Sequence, residues 1–162
     1  MTRLPALALG TALSLITGPV MALSCLPPDA TRTFNLAANS DDSFLVLLGD
    51  FTFTAPDLPD RDLSDARTEI ATWVAHFTGK ALTQDGFTQD FDSDILMALT
   101  CEQNWCGGVP AAGRALAYVQ QTDDHGLVLP IGPCGGQHFA DPSEEDVARI
   151  TTCAAGGACG TE

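Results

Sequence analysis

The sequence predicts a small, mostly antiparallel β-barrel of five strands, with a short helix near each end and disulfide bonds that fasten it. Five short stretches are rich in β-forming residues or alternate between apolar and polar residues, which is the period of a strand. The segments that join them are too short for the helical crossovers that parallel strands need. Six cysteines, all of them after residue 24, complete the prediction, because an even set is typical of a disulfide framework in an exported chain.

The N-terminal segment predicts a secretory signal peptide. Arg3 provides its positive start, Leu4 to Ile16 its apolar stretch, and Ala22 the small residue before the cut. Cleavage after Ala22 makes residues 1–22 the signal peptide and residues 23–162 a single secreted or periplasmic domain; cleavage after Ser24 is the alternative. The apolar stretch is shorter than the roughly 20 residues of a spanning helix, so we expect no membrane span.

The charge of the chain limits its partners. Seven Lys and Arg stand against 21 Asp and Glu, which gives a formal net charge of −14. Such a surface repels the phosphate backbone, so the composition excludes nucleic-acid binding as a function class. About 140 mature residues suffice for one hydrophobic core but not for two ordinary domains. We therefore expect one acidic, soluble domain that is a monomer.

The first half of the mature chain predicts a helix, two strands and a loop. Helix formers from Pro27 to Ser40 indicate a short N-terminal helix. Ser43 to Phe53 is rich in β-formers and too short for a globular helix with a glycine inside it, so it predicts a strand. Ala55 to Ala66 holds two prolines and four aspartates, which favour an exposed and mobile loop. Thr68 to Phe77 alternates with period two and predicts the next strand.

The second half predicts three more strands. Gly79 is expected to interrupt the preceding strand, and Asp85-Gly86 to form a turn. The apolar run from Asp94 to Cys101 then indicates a third strand. Ala115 to Gln121 and Leu127 to Ile131 flank a turn of aspartates and glycine, so they predict a hairpin.

The C-terminal part predicts an edge strand and a helix. Pro130 cannot donate to a sheet ladder, so its strand is expected at an edge or to end in a bulge there. Ser143 followed by three acidic residues is typical of an N-cap and a first helical turn. The positions expected to face the core are Val147, Ile150 and Cys153, and the residues expected to end the helix are Gly156 and Gly157.

The cysteines predict three disulfides but not their connectivity. The six are Cys25, Cys101, Cys106, Cys134, Cys153 and Cys159. Six cysteines allow 15 pairings. The preferred set joins Cys25 to Cys101, Cys106 to Cys134 and Cys153 to Cys159. Trp105, beside Cys106, is expected to pack against a disulfide.

No pattern in the sequence predicts a catalytic, cofactor or metal residue. Asp90, Asp92 and Asp94 begin like a calcium loop, but Ile95 and Cys101 stand where an EF-hand needs glycine and a bidentate acid, so a solvated strand face is favoured. His76, His125 and His138 are scattered and lack zinc-site spacing. Neither a nucleophile elbow nor a phosphate loop is present, and we expect no cofactor.

The order of these features resembles a known family. The series begins with a cysteine near the mature N-terminus and a strand at 44–48. These are followed, in order, by the segment Val74 to Lys80, the segment Cys101 to Gly108, a hairpin and Gly132-Pro133-Cys134. This order is similar to the netrin-type module of tissue inhibitors of metalloproteinases and covers Cys25 to Cys134. The resemblance implies a five-stranded OB-type barrel whose N-terminal cysteine is bridged to the middle of the chain. It also implies that the amine and carbonyl of Cys25, exposed by cleavage after Ser24, chelate a protease's catalytic zinc. Pro27 departs from the family, which has a second cysteine there.

Three functions follow as hypotheses. Because OB barrels are general binding platforms, the first is an exported, non-enzymatic domain that binds a protein or a small ligand. The alternative is a metalloprotease inhibitor that acts through Cys25. A second alternative is a secreted hydrolase, whose candidate groups are Asp124, Asp141, His125 and His138. A lipid anchor at Cys25 is less favoured, because the segment before it has Ala22 where the bacterial lipobox usually has leucine.

Overall fold

The structure is a computed structural model that describes residues 25–58, 69–102 and 105–160, with only the backbone of residues 69 and 70. The predicted signal peptide and both cleavage sites lie outside the described residues. So do the start of the strand predicted from Thr68 and all of the acidic loop after residue 58. Neither helix of the described ranges has the length and apolar character needed to cross a bilayer.

The described chain is mostly β, with one helix near each end, as predicted. The helices and strands are α1 (Ala30–Ala38), β1 (Ser43–Thr52), β2 (Glu69–Thr83), β3 (Gly86–Glu102), β4 (Trp105–Cys106), β5 (Gly113–Thr122), β6 (Gly126–Ile131), β7 (His138–Ala140) and α2 (Glu144–Ala154).

Five of these strands pair in a closed ring. The order is β1-β2-β3-β6-β5, and β5 pairs again with β1. All the pairs are antiparallel except β3 with β6. The short strands β4 and β7 add to β3 and β5. The parallel pair needs no helical crossover, because β5 lies between β3 and β6 in the chain and pairs with β6 itself.

The hairpin of β2 and β3 is longer than predicted. Alternation is confirmed, since Ala75 and Phe77 are buried while Val74 and His76 are exposed. The predicted break at Gly79 is wrong: β2 continues to Thr83, and the strand expected from residue 94 begins at residue 86. Gly79 lies opposite a second glycine in β1, so it permits a close strand approach instead of ending the strand.

The strand with Pro130 neither lies at an edge nor ends in a bulge there, which corrects both forms of another prediction. β6 lies between β3 and β5 in the ring. Its pairing with β5 covers only Gly126 to Val128 and stops two residues before the proline. The missing N–H of Pro130 therefore removes no bond from the ladder with β5. On its other side β6 stays paired with β3, where Pro130 lies opposite Ala98.

Two apolar clusters hold the fold together. Every strand of the ring contributes to the first, which includes Leu47, Phe77, Met97, Val119 and Leu129. The second lies on the other face of β5, where Leu116 and Tyr118 meet Ala30 of α1 and Ile150 of α2. Of the three positions of α2 predicted to face the core, Ile150 and Cys153 are buried, whereas Val147 is only half-buried. The predicted cap is confirmed, because the Ser143 hydroxyl accepts from the N–H of Asp146. Both helices thus pack against the outside of the ring.

Three disulfides join all six cysteines, but only one predicted pair is right. Cys153 is bonded to Cys159, as expected. Cys25 is bonded to Cys134, and Cys101 to Cys106, so the predicted pairs Cys25–Cys101 and Cys106–Cys134 are wrong. The reason is geometric: Cys101 and Cys106 lie directly opposite each other in the β3–β4 pair, which leaves Cys134 for Cys25.

Candidate binding groove

An open groove of about 440 Å³ lies beside α1. Leu26 and Leu36 line it together with Phe44 of β1, Tyr118 of β5 and the Cys25–Cys134 bridge. Its volume lies within the range of small-ligand pockets, which are mostly apolar and contain a few polar groups. We call it the α1 groove.

One wall of the α1 groove is the helix, which is tied to the sheet at its first turn. The carboxylate of Asp29 caps α1 by accepting from the N–H of Arg32 at 2.6 Å. The hydroxyl of Tyr118 donates to the carbonyl of Ala30 at 2.7 Å, and both groups are buried. Burial raises the pKa of the Tyr118 hydroxyl, so it stays protonated and can donate at any physiological pH. The position of α1 on β5 is therefore held by hydrogen bonds as well as apolar contact.

The other wall is the turn that carries Cys134. Gly135 has a φ of 63°, a left-handed conformation that glycine adopts without strain. Its N–H donates to the carbonyl of Gly132 at 3.1 Å, and the carbonyl of Gln137 accepts from the N–H of Tyr118 at 2.8 Å. The disulfide to Cys25 joins this turn to the segment before α1, with 5.2 Å between the two Cα atoms. Covalent and hydrogen bonds thus hold both walls in place.

The groove contains unusually exposed apolar side chains. Leu26 is 69% exposed and Leu36 is 68% exposed. Phe34 and Ala37 of the same helix pack against the second apolar cluster, so Leu36 lies outside the stripe that holds α1 to the sheet. Exposed apolar residues that share one concavity are typical of an interaction site.

The acidic residues that resembled a calcium loop lie on the outer face of β3. Asp90, Asp92 and Asp94 face Lys80, Thr78 and His76 of β2 across the ladder. All three carboxylates are well exposed, with side-chain exposures of 91%, 69% and 71%. Among the residues the structure describes, no group of three or more His, Cys, Asp or Glu is arranged to hold a metal ion. These acids form a solvated strand face that contacts Lys80 and His76 of β2.

His76 on this face should titrate above its ordinary pKa of 6.5, chiefly because it is hydrogen-bonded to Asp94 at 3.0 Å, with a further contribution from the charge of Asp92. Because the folded pKa is raised, the protonated pair favours the folded state below pH 6.5 and loses this effect as pH rises through the folded pKa. NMR titration of the imidazole measures the pKa of His76 directly. D94N should lower the pKa, whereas D90N, which removes the partner of Lys80, should leave it nearly unchanged. Equal effects of D90N and D94N would contradict the assignment.

The structure places the two histidines of the hydrolase hypothesis at different points along β5, so the four groups do not share one site. His138 lies opposite Ala117, while His125 follows Thr122 in the turn at the far end of β5. The five residues of strand between those points extend about 16 Å. His138 is half-buried against the ring of Phe51, with centroids 5.6 Å apart, and desolvation lowers its pKa. Asp124 and Asp141 are both exposed.

Two details of the cysteine-rich segments bear on the predictions for Trp105 and Cys25. Trp105 does not pack into the protein beside its disulfide but is 61% exposed. The sulfur of Cys25 is bonded to Cys134, so it is not available for the thioether of a bacterial lipid anchor. Cys25 itself is exposed at the rim of the α1 groove.

Sequence reasoning missed the α1 groove. The available signal was a leucine at 26, where the chain is not yet helical, and a leucine at 36 beside two alanines. Neither position shows its exposure until the docking of α1 is known.

Comparison with known proteins adds no relative. No family model, curated protein or solved structure matches this chain. The netrin-type resemblance therefore stays a prediction.

Proposed function

We propose that this chain is an exported, non-enzymatic binding domain with an OB-type barrel, which uses the α1 groove to hold an apolar ligand or an apolar protein segment. The observation that carries the proposal is the groove itself, in which two leucines more than two-thirds exposed stand beside a fixed disulfide. Keeping such side chains in water gives up the free energy that their burial would contribute, about 1.5 to 3 kcal/mol for each fully buried leucine. Binding would recover part of it.

The strand order supports the barrel part of the proposal. An OB barrel is a five-stranded Greek-key barrel, and the closed ring β1-β2-β3-β6-β5 is compatible with it. Such barrels serve as platforms for many ligands. The surplus of carboxylates argues against the oligonucleotides that many of them bind. Three disulfides, together with the predicted signal peptide, favour an oxidising compartment outside the cytoplasm.

The proposal can be tested with a neutral apolar dye, N-phenyl-1-naphthylamine, whose fluorescence rises in apolar surroundings. We expect saturable binding to the oxidised protein, and at least about tenfold weaker binding to L36D, because a charge would enter an apolar site. The matched control is V74D, since Val74 is also exposed, at 59%, but lies on the outer face of β2. Equal binding by L36D and V74D would show that the dye does not use the groove.

A second candidate function is inhibition of a metalloprotease through Cys25. The favourable observation is that Cys25 is exposed and is held by the bridge to Cys134, so a free amine there would be presented from a fixed point. This mechanism requires cleavage after Ser24, because a start at Leu23 would leave the nitrogen of Cys25 in a peptide bond to Ser24. N-terminal sequencing of the exported protein decides between the two starts, and a start at Leu23 eliminates the inhibitor.

A further inference from the structure

The α1 groove has an electronegative end. Ser40 and Phe44 line the groove, and Asp41 and Asp42 lie between them in the chain, both exposed. They follow the C-terminus of α1, which carries partial negative charge and has no basic residue in its last turn. The C-terminus of α1 and the carboxylates of Asp41 and Asp42 therefore both contribute to a negative potential at this end of the groove.

The described cations do little to neutralise it. Lys80 pairs with Asp90, and Arg149 pairs with Glu145 and Asp146 on α2. The guanidinium of Arg114 donates to the carbonyl of Pro142 and does not line the groove. Arg32 is the only arginine or lysine that lines the groove; it lies in the first turn of α1, and its guanidinium donates to the carbonyl of Pro27. The end of the groove at the first turn of α1 thus has Arg32 beside the carboxylate of Asp29. The other end, where Leu36 lies in the last turn, has the carboxylates of Asp41 and Asp42 nearby and no described lysine or arginine in its lining.

We propose that the occupant of the α1 groove is a segment of a partner protein in which apolar side chains are followed by Lys or Arg. The apolar side chains would cover Leu26 and Leu36, and the cation would lie near Asp41 and Asp42. A protein segment fits better than a small molecule, because both leucines are mostly exposed and an occupant confined to the cavity would cover only the part of each leucine that lines it. This inference rests on the proposed function and adds the chemistry of the ligand.

The test compares three labelled peptides by fluorescence anisotropy: three leucines followed by three lysines, three leucines followed by three glutamates, and three serines followed by three lysines. The first should bind the oxidised protein most tightly, and added salt should weaken it by screening the exposed charges. D41N/D42N should weaken it about fivefold, which is the size expected of two exposed ion pairs. The matched control is D123N/D124N, which removes the same charge in the exposed β5–β6 turn and should change binding less than about twofold.

The outcomes separate the two levels of the proposal. One outcome is that L36D abolishes dye binding, but the three peptides bind equally, or D41N/D42N and D123N/D124N have equal effects. This outcome overturns the inference and leaves the binding groove in place. Dye binding that L36D does not change overturns both. The inference is supported if the protein prefers the leucine–lysine peptide and if D41N/D42N, but not D123N/D124N, reduces this preference without changing dye binding.

Discussion

Replacing both Cys25 and Cys134 by serine should lower the free energy of unfolding by about 4 to 5 kcal/mol, the largest effect expected of any of the three bridges. The two cysteines are 109 residues apart, so the bridge restricts most of the unfolded chain, whereas Cys101–Cys106 and Cys153–Cys159 span separations of only 5 and 6 residues. In the chain-entropy estimate, loops that short contribute about 2 kcal/mol. Urea unfolding of the purified oxidised variants measures the difference.

The matched control is C153S/C159S, which removes the same number of sulfur atoms from a short loop. Similar losses in the two double variants would show that loop closure does not explain the contribution of the long bridge. Peptide mapping without reduction gives an independent result: a Cys25–Cys134 peptide is expected, and a Cys25–Cys101 peptide would contradict the connectivity.

These bridges also show where sequence reasoning reaches its limit. The even set of cysteines correctly predicts three disulfides, because pairing depends on composition and compartment. The partner of Cys25 could not be predicted, since it depends on where α1 docks relative to the turn after β6. The pair Cys153–Cys159 is predicted correctly, but closeness in the chain is not sufficient, because the equally local pair Cys101–Cys106 depends on the short strand β4 pairing with β3.

The strands follow the same rule. The alternation around Phe77 depends only on the two faces of a strand, so it predicts which side chains are buried. The full length of β2 depends on its neighbouring strand. The sequence predicts a break at Gly79, because only the pairing with β1 shows that Gly79 meets Gly49 there. The α1 groove could not be predicted from the sequence, because its lining residues come from α1, β1, β5 and the Cys134 turn, which are distant in the chain.

Gly49→Ala should lower the free energy of unfolding by about 2 to 3 kcal/mol, because it overpacks the point where β1 and β2 come closest. Gly49 lies directly opposite Gly79, and the ring of Phe77 covers both. A Cβ on Gly49 would lie 2.3 Å from the carbonyl oxygen of Thr78 and 2.6 Å from the Cα of Gly79. Both are backbone atoms, so no side-chain rotation can relieve the clash. Urea unfolding followed by far-UV circular dichroism measures the loss.

The control is Gly108→Ala, since a Cβ there meets nothing within 4 Å and its change should stay within about 0.5 kcal/mol. Gly79→Ala should resemble Gly49→Ala, because its Cβ would lie 2.4 Å from the carbonyl oxygen of Leu48. If Gly49→Ala and Gly108→Ala unfold at the same urea concentration, the close approach is not required. A large loss confined to Gly49 and Gly79 would mean that the ring closes only because β1 and β2 meet there without side chains, as glycines at sharp bends of closed sheets allow.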